Sequence, residues 1–238
     1  LFRSYREPQK TYDVISKLFN GAKEEWQDTF STSDKIELAP EQLNICIPLL
    51  ENIKFFDADR TELEIIDFAF EYLITQVAKG SKGQYFTPRH VVKMCVKMLN
   101  PQDREYVIDP ACGSGGFLIH SMYWVWDNYL KTESAKLDYA KKYVFGLDFA
   151  LTMRKISQAL MLIAGDGRSH IFRKNTLDAR DWQLSDDDTL KAKAELSSLL
   201  KKLSNQEENK ENQKTYRIMN FDVLLTNPPF AGEITDGQ

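Results

Sequence analysis

The spacing of apolar positions along this chain changes near residue 85. Before that point apolar side chains recur at helical spacing in two segments, which are Val14, Ile15, Leu18 and Phe19, then Leu63, Ile66, Phe70, Leu73, Ile74 and Val77. After it, short apolar runs alternate with helical patterns, which is typical of a largely parallel α/β sheet. The pattern predicts an all-α N-terminal domain over residues 1–80 and an α/β domain over residues 81–238, with a glycine-containing hinge at 79–84.

Four apolar runs in the second part are predicted strands, near residues 106–109, 144–148, 171–174 and 221–226. The polar stretch 183–215 separates the last two, and its leucines indicate a helix inside an insertion; they are Leu190, Leu196, Leu199, Leu200 and Leu203. Residues 204–214 carry almost no apolar side chain, so we expect them to be mobile.

A glycine-rich turn follows the first predicted strand, where residues 109–116 read Asp-Pro-Ala-Cys-Gly-Ser-Gly-Gly. Glycines let a backbone approach a ligand closely. The spacing differs from that of a dinucleotide-binding turn and from that of a phosphate loop. Asp109, directly before the glycines, would repel a pyrophosphate but could accept from an ammonium group. The turn therefore favours a nucleoside that carries an amino acid as the ligand.

The last predicted strand runs into Asn227, Pro228, Pro229 and Phe230. Consecutive prolines fix their own φ and have carbonyls but no backbone N–H. An amide, two rigid carbonyls and an aromatic ring suit a planar group that bears an exocyclic NH₂. The alternative is a strand that ends in a proline turn with a capping Asn.

The second predicted strand ends in Asp148, followed by Phe149. Acids at the carboxyl ends of strands in doubly wound sheets commonly accept from ribose hydroxyls. We therefore expect Asp148 to bind a ribose, and Phe149 to form an apolar wall beside an adenine. The alternative is that Asp148 caps the helix predicted over 151–163, and both roles are compatible.

Composition sets limits on the function. A chain of 238 residues with 42% hydrophobic content can bury a real core. The formal charge of −4 lacks the basic excess that is typical of proteins that bind nucleic acid. Basic residues do cluster between Lys79 and Lys97, which makes this segment a candidate for DNA contact; the alternative is that they form the solvent-exposed face of a helix. Cys46, Cys95 and Cys112 are widely spaced along the chain, which argues against a zinc site and a disulfide framework. No secretory signal or membrane-spanning run is visible, so we expect a reducing, cytoplasmic location and no membrane partner.

Three motifs of this chain resemble those of the N6-adenine DNA methyltransferases. They are Gly-Gln-Tyr-Phe-Thr-Pro-Arg over 83–89, Asp-Pro-Ala-Cys-Gly-Ser-Gly-Gly-Phe-Leu over 109–118 and Thr-Asn-Pro-Pro-Phe over 226–230. Their order is similar to that in the modification subunit of type I restriction–modification systems. The resemblance implies a Rossmann-like, S-adenosyl-L-methionine-dependent methyltransferase sheet after the helical domain. Further strands of that sheet are expected outside this chain, which opens at Leu1 and stops at Gln238 soon after the third motif.

The resemblance also implies a cofactor site for S-adenosyl-L-methionine. Its expected residues are Gln84, Phe86, Thr87, Pro88, Asp109, Pro110, Ala111, Gly113, Ser114, Gly115, Gly116, Asp148, Phe149 and Asn175. Thr87 and the backbone around Phe86 would bind the carboxylate of the methionine end. Asn175 stands where the family often has an Asp that contacts the cofactor's adenine amine, and a turn-forming role is its alternative.

The implied reaction is methyl transfer to adenine N6 in double-stranded DNA. If the Asn227 side-chain oxygen and the Pro228 carbonyl accept the two N–H hydrogens, the nitrogen lone pair becomes available; no metal or His is needed. The base must leave the duplex, and Phe230 would stack on it. The implied partners are DNA, a specificity subunit that reads the bases, a second modification subunit and a restriction subunit. The alternatives are a protein glutamine methyltransferase, a single-chain restriction–modification enzyme and a catalytically silent assembly module.

Overall fold

A computed structural model of the chain describes residues 7–27, 29–50, 87–165, 170–178, 181–196, 199–201 and 218–229. It divides the chain into two compact units, Leu1–Ile65 and Ile66–Gln238. The apolar pattern at 63–77, the hinge at 79–84 and the segment 204–214 lie outside the described residues. The predicted domain boundary between residues 80 and 81 therefore stays a prediction.

The described part of the first unit contains two packed helices, α1 (Pro8–Glu25) and α2 (Pro40–Leu50). Helix α1 begins with a proline, whose fixed φ suits the first helical turn and whose missing N–H costs nothing there. Between the helices, the buried Thr11 hydroxyl donates to Asn44 Oδ1 at 3.0 Å. The helical character predicted for this region is confirmed.

The second unit is built on a four-stranded parallel sheet, as predicted. Strands in chain order are β1 (Val107–Asp109), β2 (Val144–Asp148), β3 (His170–Arg173), β4 (Leu200–Lys201), β5 (Ile218–Met219) and β6 (Val223–Leu224). The sheet has the spatial order β3-β2-β1-β6, and Val107 of β1 pairs with Val144 on one side and Val223 on the other. Strand β1 thus lies inside the sheet, and the chain reaches its two neighbours by crossovers in opposite directions.

Five described helices accompany this sheet: α3 (Arg89–Leu99), α4 (Gly116–Tyr129), α5 (Glu133–Tyr143), α6 (Leu151–Ala164) and α7 (Asp187–Leu196). Alternate residues of β1 enter two different apolar clusters. Val107 packs with Val92 and Phe117, while Ile108 packs with Phe145 and Phe172. This alternation is the two-residue period of a strand, and it shows that β1 is buried on both faces. None of the helices in the described ranges is long and apolar enough to cross a membrane.

The insertion after β3 differs in part from the prediction. The expected helix exists as α7, but it ends at Leu196, and Leu200 belongs to β4, which pairs with β5 in a separate antiparallel sheet. The predicted strand over 221–226 is correspondingly short, with β6 covering only Val223–Leu224. Sequence spacing could not indicate β4, because a two-residue strand is defined by a partner distant along the chain and not by local periodicity.

Candidate active site

The candidate site lies at the carboxyl ends of β1 and β6. Since β2 and β6 flank β1, the crevice beyond β1 is a topological switch point, where open α/β sheets bind ligands. A cavity of about 80 Å³ opens there. It is lined by Thr87, Val92, Asp109, Ala111, Cys112, Gly113, Ser114, Gly116, Phe117 and Asn227. The structure therefore brings residues of all three sequence motifs to one cavity.

The glycine turn between β1 and α4 leaves space above its backbone. A Cβ atom added to Gly113 or Gly116 would meet no heavy atom within 4 Å. Gly113 and Gly115 both have a positive φ, at +53° and +86°, but Gly115 differs because a Cβ there would lie 2.6 Å from the Oγ of Ser157. Gly115 is thus required by the fold, which packs α6 against the turn, whereas Gly113 and Gly116 keep the cavity side open.

Asp109 is a buried carboxyl group at the end of β1, with only 2% of its surface exposed. Its Oδ1 accepts from the Ala111 N–H at 3.1 Å. The pKa of Asp109 is raised to about 7, mainly by burial and to a smaller extent by the nearby Asp148 charge. The Ala111 N–H and the Thr226 hydroxyl act against this shift of the pKa, although that hydroxyl is not aligned for a hydrogen bond. A cation in the cavity would stabilise the ionised form of Asp109.

Asp148 connects β2 to the glycine turn. Its Oδ2 accepts from the Gly113 N–H at 2.9 Å, and its Oδ1 accepts from the Ala150 N–H at 2.8 Å. Burial raises the pKa of Asp148, and both hydrogen bonds oppose the shift. The bond to Ala150, the N-cap residue of α6, shows that the carboxylate helps to start that helix. Its contact with a ribose stays a prediction, as does the role of Phe149, whose side chain is exposed.

Asn227 faces the cavity from the loop after β6. Its Nδ2 donates to the Thr87 Oγ1 at 2.9 Å, and both side chains are half-buried. With Nδ2 engaged by Thr87, the Asn227 Oδ1 is the part of the amide that can accept from a ligand. Pro228 and Pro229 follow as exposed residues. Phe230, Gln84 and Phe86 lie outside the described residues, so their predicted roles stay predictions.

Asn175 does not line the cavity. Its Oδ1 accepts from the Leu177 N–H at 3.0 Å, and its own N–H donates to the Asp181 carboxylate at 2.7 Å. This geometry is the turn that we gave as the alternative role. The remaining predicted residues, Pro88, Pro110 and Gly115, border the cavity through their neighbours in the chain.

Sequence reasoning missed a buried lysine at the end of β3. Lys174 is 2% exposed, and its Nζ hydrogen-bonds the Thr189 hydroxyl and the Asp181 carbonyl oxygen. The same Nζ lies 3.5 Å from the Asp181 carboxylate and 3.7 Å from that of Asp186. Nothing in the local sequence distinguishes Lys174 from a surface lysine, because the acids that surround it come from the following loop and helix.

Cys112 was also missed as a cavity residue. Its backbone N–H donates to the Leu147 carbonyl oxygen at 2.9 Å, which ties the turn to β2. The thiol lies 3.8 Å from the Ser157 hydroxyl, and burial raises its pKa. Cys112 is therefore a neutral wall of the cavity.

Comparison with known proteins assigns the chain to a family. The type I restriction enzyme EcoEI methylase subunit of Escherichia coli is 30% identical over 160 residues, covering 66% of this chain and 26% of the relative. The StySPI methylase subunit of Salmonella potsdam is 33% identical over 117 residues, covering 47% of this chain and 21% of the relative. The chain thus spans about a quarter or less of the length of these relatives.

A solved structure shows the same fold. It is a modification subunit assigned to a type I restriction enzyme of Vibrio vulnificus YJ016, with a TM-score of 0.56 and 22% identity, covering 94% of this chain and 38% of that one. Residues 62–237 match the family described as N-6 DNA Methylase. Because this match covers most of the sequence and all three motifs, the chain belongs to the N-6 DNA methylase family.

Proposed function

We propose that this chain is the cofactor-binding and catalytic part of a DNA methyltransferase that transfers a methyl group from S-adenosyl-L-methionine to adenine N6. The observation that carries the proposal is the shared cavity, which is lined by Asn227, the glycine turn and Asp109 together. A family of N-6 DNA methylases requires a methyl donor and an acceptor amine, and this cavity has groups suited to both.

The residues beyond β1 fit the amino-acid end of S-adenosyl-L-methionine. A buried carboxyl group with a raised pKa favours a cationic ligand such as an ammonium, which recovers the cost of ionising Asp109 in a dry site. The open side of Gly113 and Gly116 lets the ligand approach the backbone. The cavity volume of about 80 Å³ is smaller than the roughly 300–1,000 Å³ of whole-ligand pockets, so it suits one end of such a molecule.

The sulfonium of this cofactor supplies an electrophilic methyl group, and the protein's task is to prepare the nitrogen that accepts it. The Asn227 Oδ1 and the Pro228 carbonyl oxygen accept the two hydrogens of the adenine amine. Neutral acceptors held in place lower the barrier by orientation and by stabilising the positive charge that develops on nitrogen. The target adenine leaves the duplex to reach them, and Phe230 stacks on its ring.

The proposed assembly is a type I restriction–modification complex. In it a specificity subunit reads the DNA sequence, and a second modification subunit and a restriction subunit complete the enzyme. The net charge of −4 supports this division, because a chain that gripped DNA alone would be expected to carry a basic excess. We expect weak DNA binding by this chain in isolation, measurable in a gel shift. The cytoplasmic location stays a prediction.

Replacing Asn227 tests the chemistry directly. In the full-length polypeptide within its complex, Asn227→Ala should lower methyl transfer by roughly 10²-fold or more, since a preorganised acceptor is lost. The dissociation constant for S-adenosyl-L-methionine should change little, because Asp109 and the glycine turn remain. Tritium transfer to unmethylated DNA measures the rate, mass spectrometry of the nucleosides identifies N6-methyladenine as the product, and calorimetry gives the cofactor dissociation constant.

The matched control is Asn128→Ala, which removes an exposed amide whose Nδ2 donates to the Trp124 carbonyl oxygen in its own helix. It should leave transfer unchanged. Methyl transfer that survives in Asn227→Ala would contradict the assigned role. Methylated protein in place of methylated DNA would instead support the protein glutamine methyltransferase, and cofactor binding without transfer would support the silent assembly module.

A further inference from the structure

The hydrogen bond between Asn227 and Thr87 joins two of the sequence motifs, which lie 140 residues apart along the chain. The Asn227 Nδ2 donates to the Thr87 Oγ1 at 2.9 Å, and both residues line the cavity. The loop that carries Asn227 begins after β6, whereas Thr87 precedes α3. The contact therefore depends on the packing of two elements that are distant in sequence.

An amide that activates an adenine amine must present the correct atom. A primary amide has an acceptor oxygen and a donor NH₂ of nearly equal size, so it can rotate to present either one. An NH₂ group that faced the N6 hydrogens would place donor against donor and leave the nitrogen lone pair unassisted. A threonine hydroxyl can donate or accept, but here the Thr87 hydroxyl accepts from the amide NH₂, which leaves the Asn227 Oδ1 to accept from the base.

We propose that Thr87 is a positioning residue, whose hydroxyl holds the Asn227 amide with Oδ1 turned towards the target base. The inference rests on the proposed function, because it gives the amide orientation its purpose. It differs from the role that the resemblance implied for Thr87, which was binding of the methionine carboxylate. The two roles separate experimentally, since one acts on the transfer step and the other on cofactor affinity.

The test compares Thr87→Val with Thr87→Ser in the full-length polypeptide within its complex. Valine keeps the shape of the side chain but removes the hydroxyl, while serine keeps the hydroxyl. The substrate is genomic DNA from a strain of the same organism in which this gene is deleted, so that every target adenine is unmethylated. Single-turnover transfer at saturating tritiated S-adenosyl-L-methionine gives the rate of the methylation step, and calorimetry gives the cofactor dissociation constant.

We expect Thr87→Val to lower the single-turnover rate about tenfold, which corresponds to about 1.4 kcal/mol in the barrier. The cofactor dissociation constant should stay within about twofold of the wild-type value, and Thr87→Ser should restore most of the rate, because it restores the bond that orients Asn227. The matched control is Thr132→Val, which removes the capping hydroxyl of α5. Thr132 lies beyond the far end of the 14-residue α4, roughly 20 Å from the glycine turn. This control should lower the melting temperature and leave the rate unchanged.

The outcomes are distinguishable. An unchanged rate in Thr87→Val overturns the positioning role while the methyltransferase proposal stands. A weaker cofactor affinity with an unchanged saturated rate also overturns it, and supports the carboxylate role. If the wild-type complex transfers no methyl group to adenine, the proposed function itself fails. If Thr87→Val does not fold, as shown by circular dichroism, a tenfold slower rate in Thr87→Ser overturns the proposal.

Discussion

Two pairs of aspartates near the carboxyl ends of neighbouring strands have different surroundings. Asp109 and Asp148 lie at the ends of β1 and β2, and burial raises the pKa of both. Asp181 and Asp186 follow β3 and lie around the buried ammonium of Lys174. Hydrogen bonds from the Thr189 side chain and backbone, with a further contribution from Lys174, lower the pKa of Asp186 to about 2.

The two pairs of aspartates differ in whether the protein itself supplies a positive charge beside them. Lys174 supplies a cation from within the fold to the pair beyond β3, so those aspartates stabilise the loop itself. Within the described residues, Asp109 and Asp148 accept from the N–H groups of Ala111, Gly113 and Ala150 and form no ion pair. A buried acid without an internal cation weakens the fold when it ionises. Such an arrangement is typical of a site that serves a ligand.

The largest expected difference between the two aspartate pairs is in how the free energy of unfolding changes with pH. The folded pKa of Asp109 is about 7, above the 3.8 of an unfolded chain, so the folded state binds its proton more tightly. The stability that results is present below pH 4 and is lost as pH rises to 7. Between pH 5 and pH 8, Asp109 alone should lower the free energy of unfolding by roughly 3 kcal/mol. Urea unfolding at the two pH values measures it.

The Asp109→Asn variant is the matched control, because it removes the titration and keeps the size of the side chain. It should lose much less stability than the wild type over the same range, with the remaining loss in the same direction from Asp148. Asp186 adds nothing in this window, since its lowered pKa places its titration below pH 4. Equal losses for wild type and Asp109→Asn would show that Asp109 is ionised at pH 5.

Removing the internal cation should have the next largest effect. Lys174 is 2% exposed, and Lys174→Met keeps the length of its side chain. The substitution leaves the carboxylates of Asp181 and Asp186 without their neighbouring positive charge. We expect the free energy of unfolding to fall by about 2–3 kcal/mol, less than for a fully buried pair because Asp186 is partly exposed. The control is Lys142→Met, which breaks an exposed ion pair with Asp138 and should cost far less stability, because solvent screens that pair. Similar losses in the two variants would remove the distinction between the pairs.

The affinity for the cofactor should differ least between variants of the two aspartate pairs. It is also the most direct test of which pair serves a ligand. Asp148→Asn removes the carboxylate that accepts from the Gly113 N–H of the glycine turn, and it should weaken S-adenosyl-L-methionine binding about tenfold, or about 1.4 kcal/mol. Asp186→Asn removes the same charge from the structural pair and should leave the affinity within about twofold. Calorimetry at pH 8 measures both, and a larger effect at Asp186 would reverse the assignment.

The elements of the site were predictable where local pattern is sufficient. Apolar runs that end in an acid predicted the ends of β1 and β2, and with them Asp109 and Asp148. The Asn-Pro-Pro run predicted the loop after β6. The pattern could not predict the β4–β5 pair or the burial of Lys174, because both depend on partners from other parts of the chain. It also gave no means to choose between ligand and turn for Asn175, where the structure shows the turn.

What the sequence determined by itself is the set of chemical groups and the strand ends that carry them, because strand and turn preferences are local. Only the tertiary structure decided which groups face one another. The order β3-β2-β1-β6 places residue 227 beside a turn more than a hundred residues earlier. The same packing buries Asp109 away from water and places the Asp181 carboxylate beside the Lys174 ammonium. It also brings Thr87 within hydrogen-bonding distance of Asn227. Burial and distance are properties of packing, and they determine the charge and the orientation on which the proposed chemistry depends.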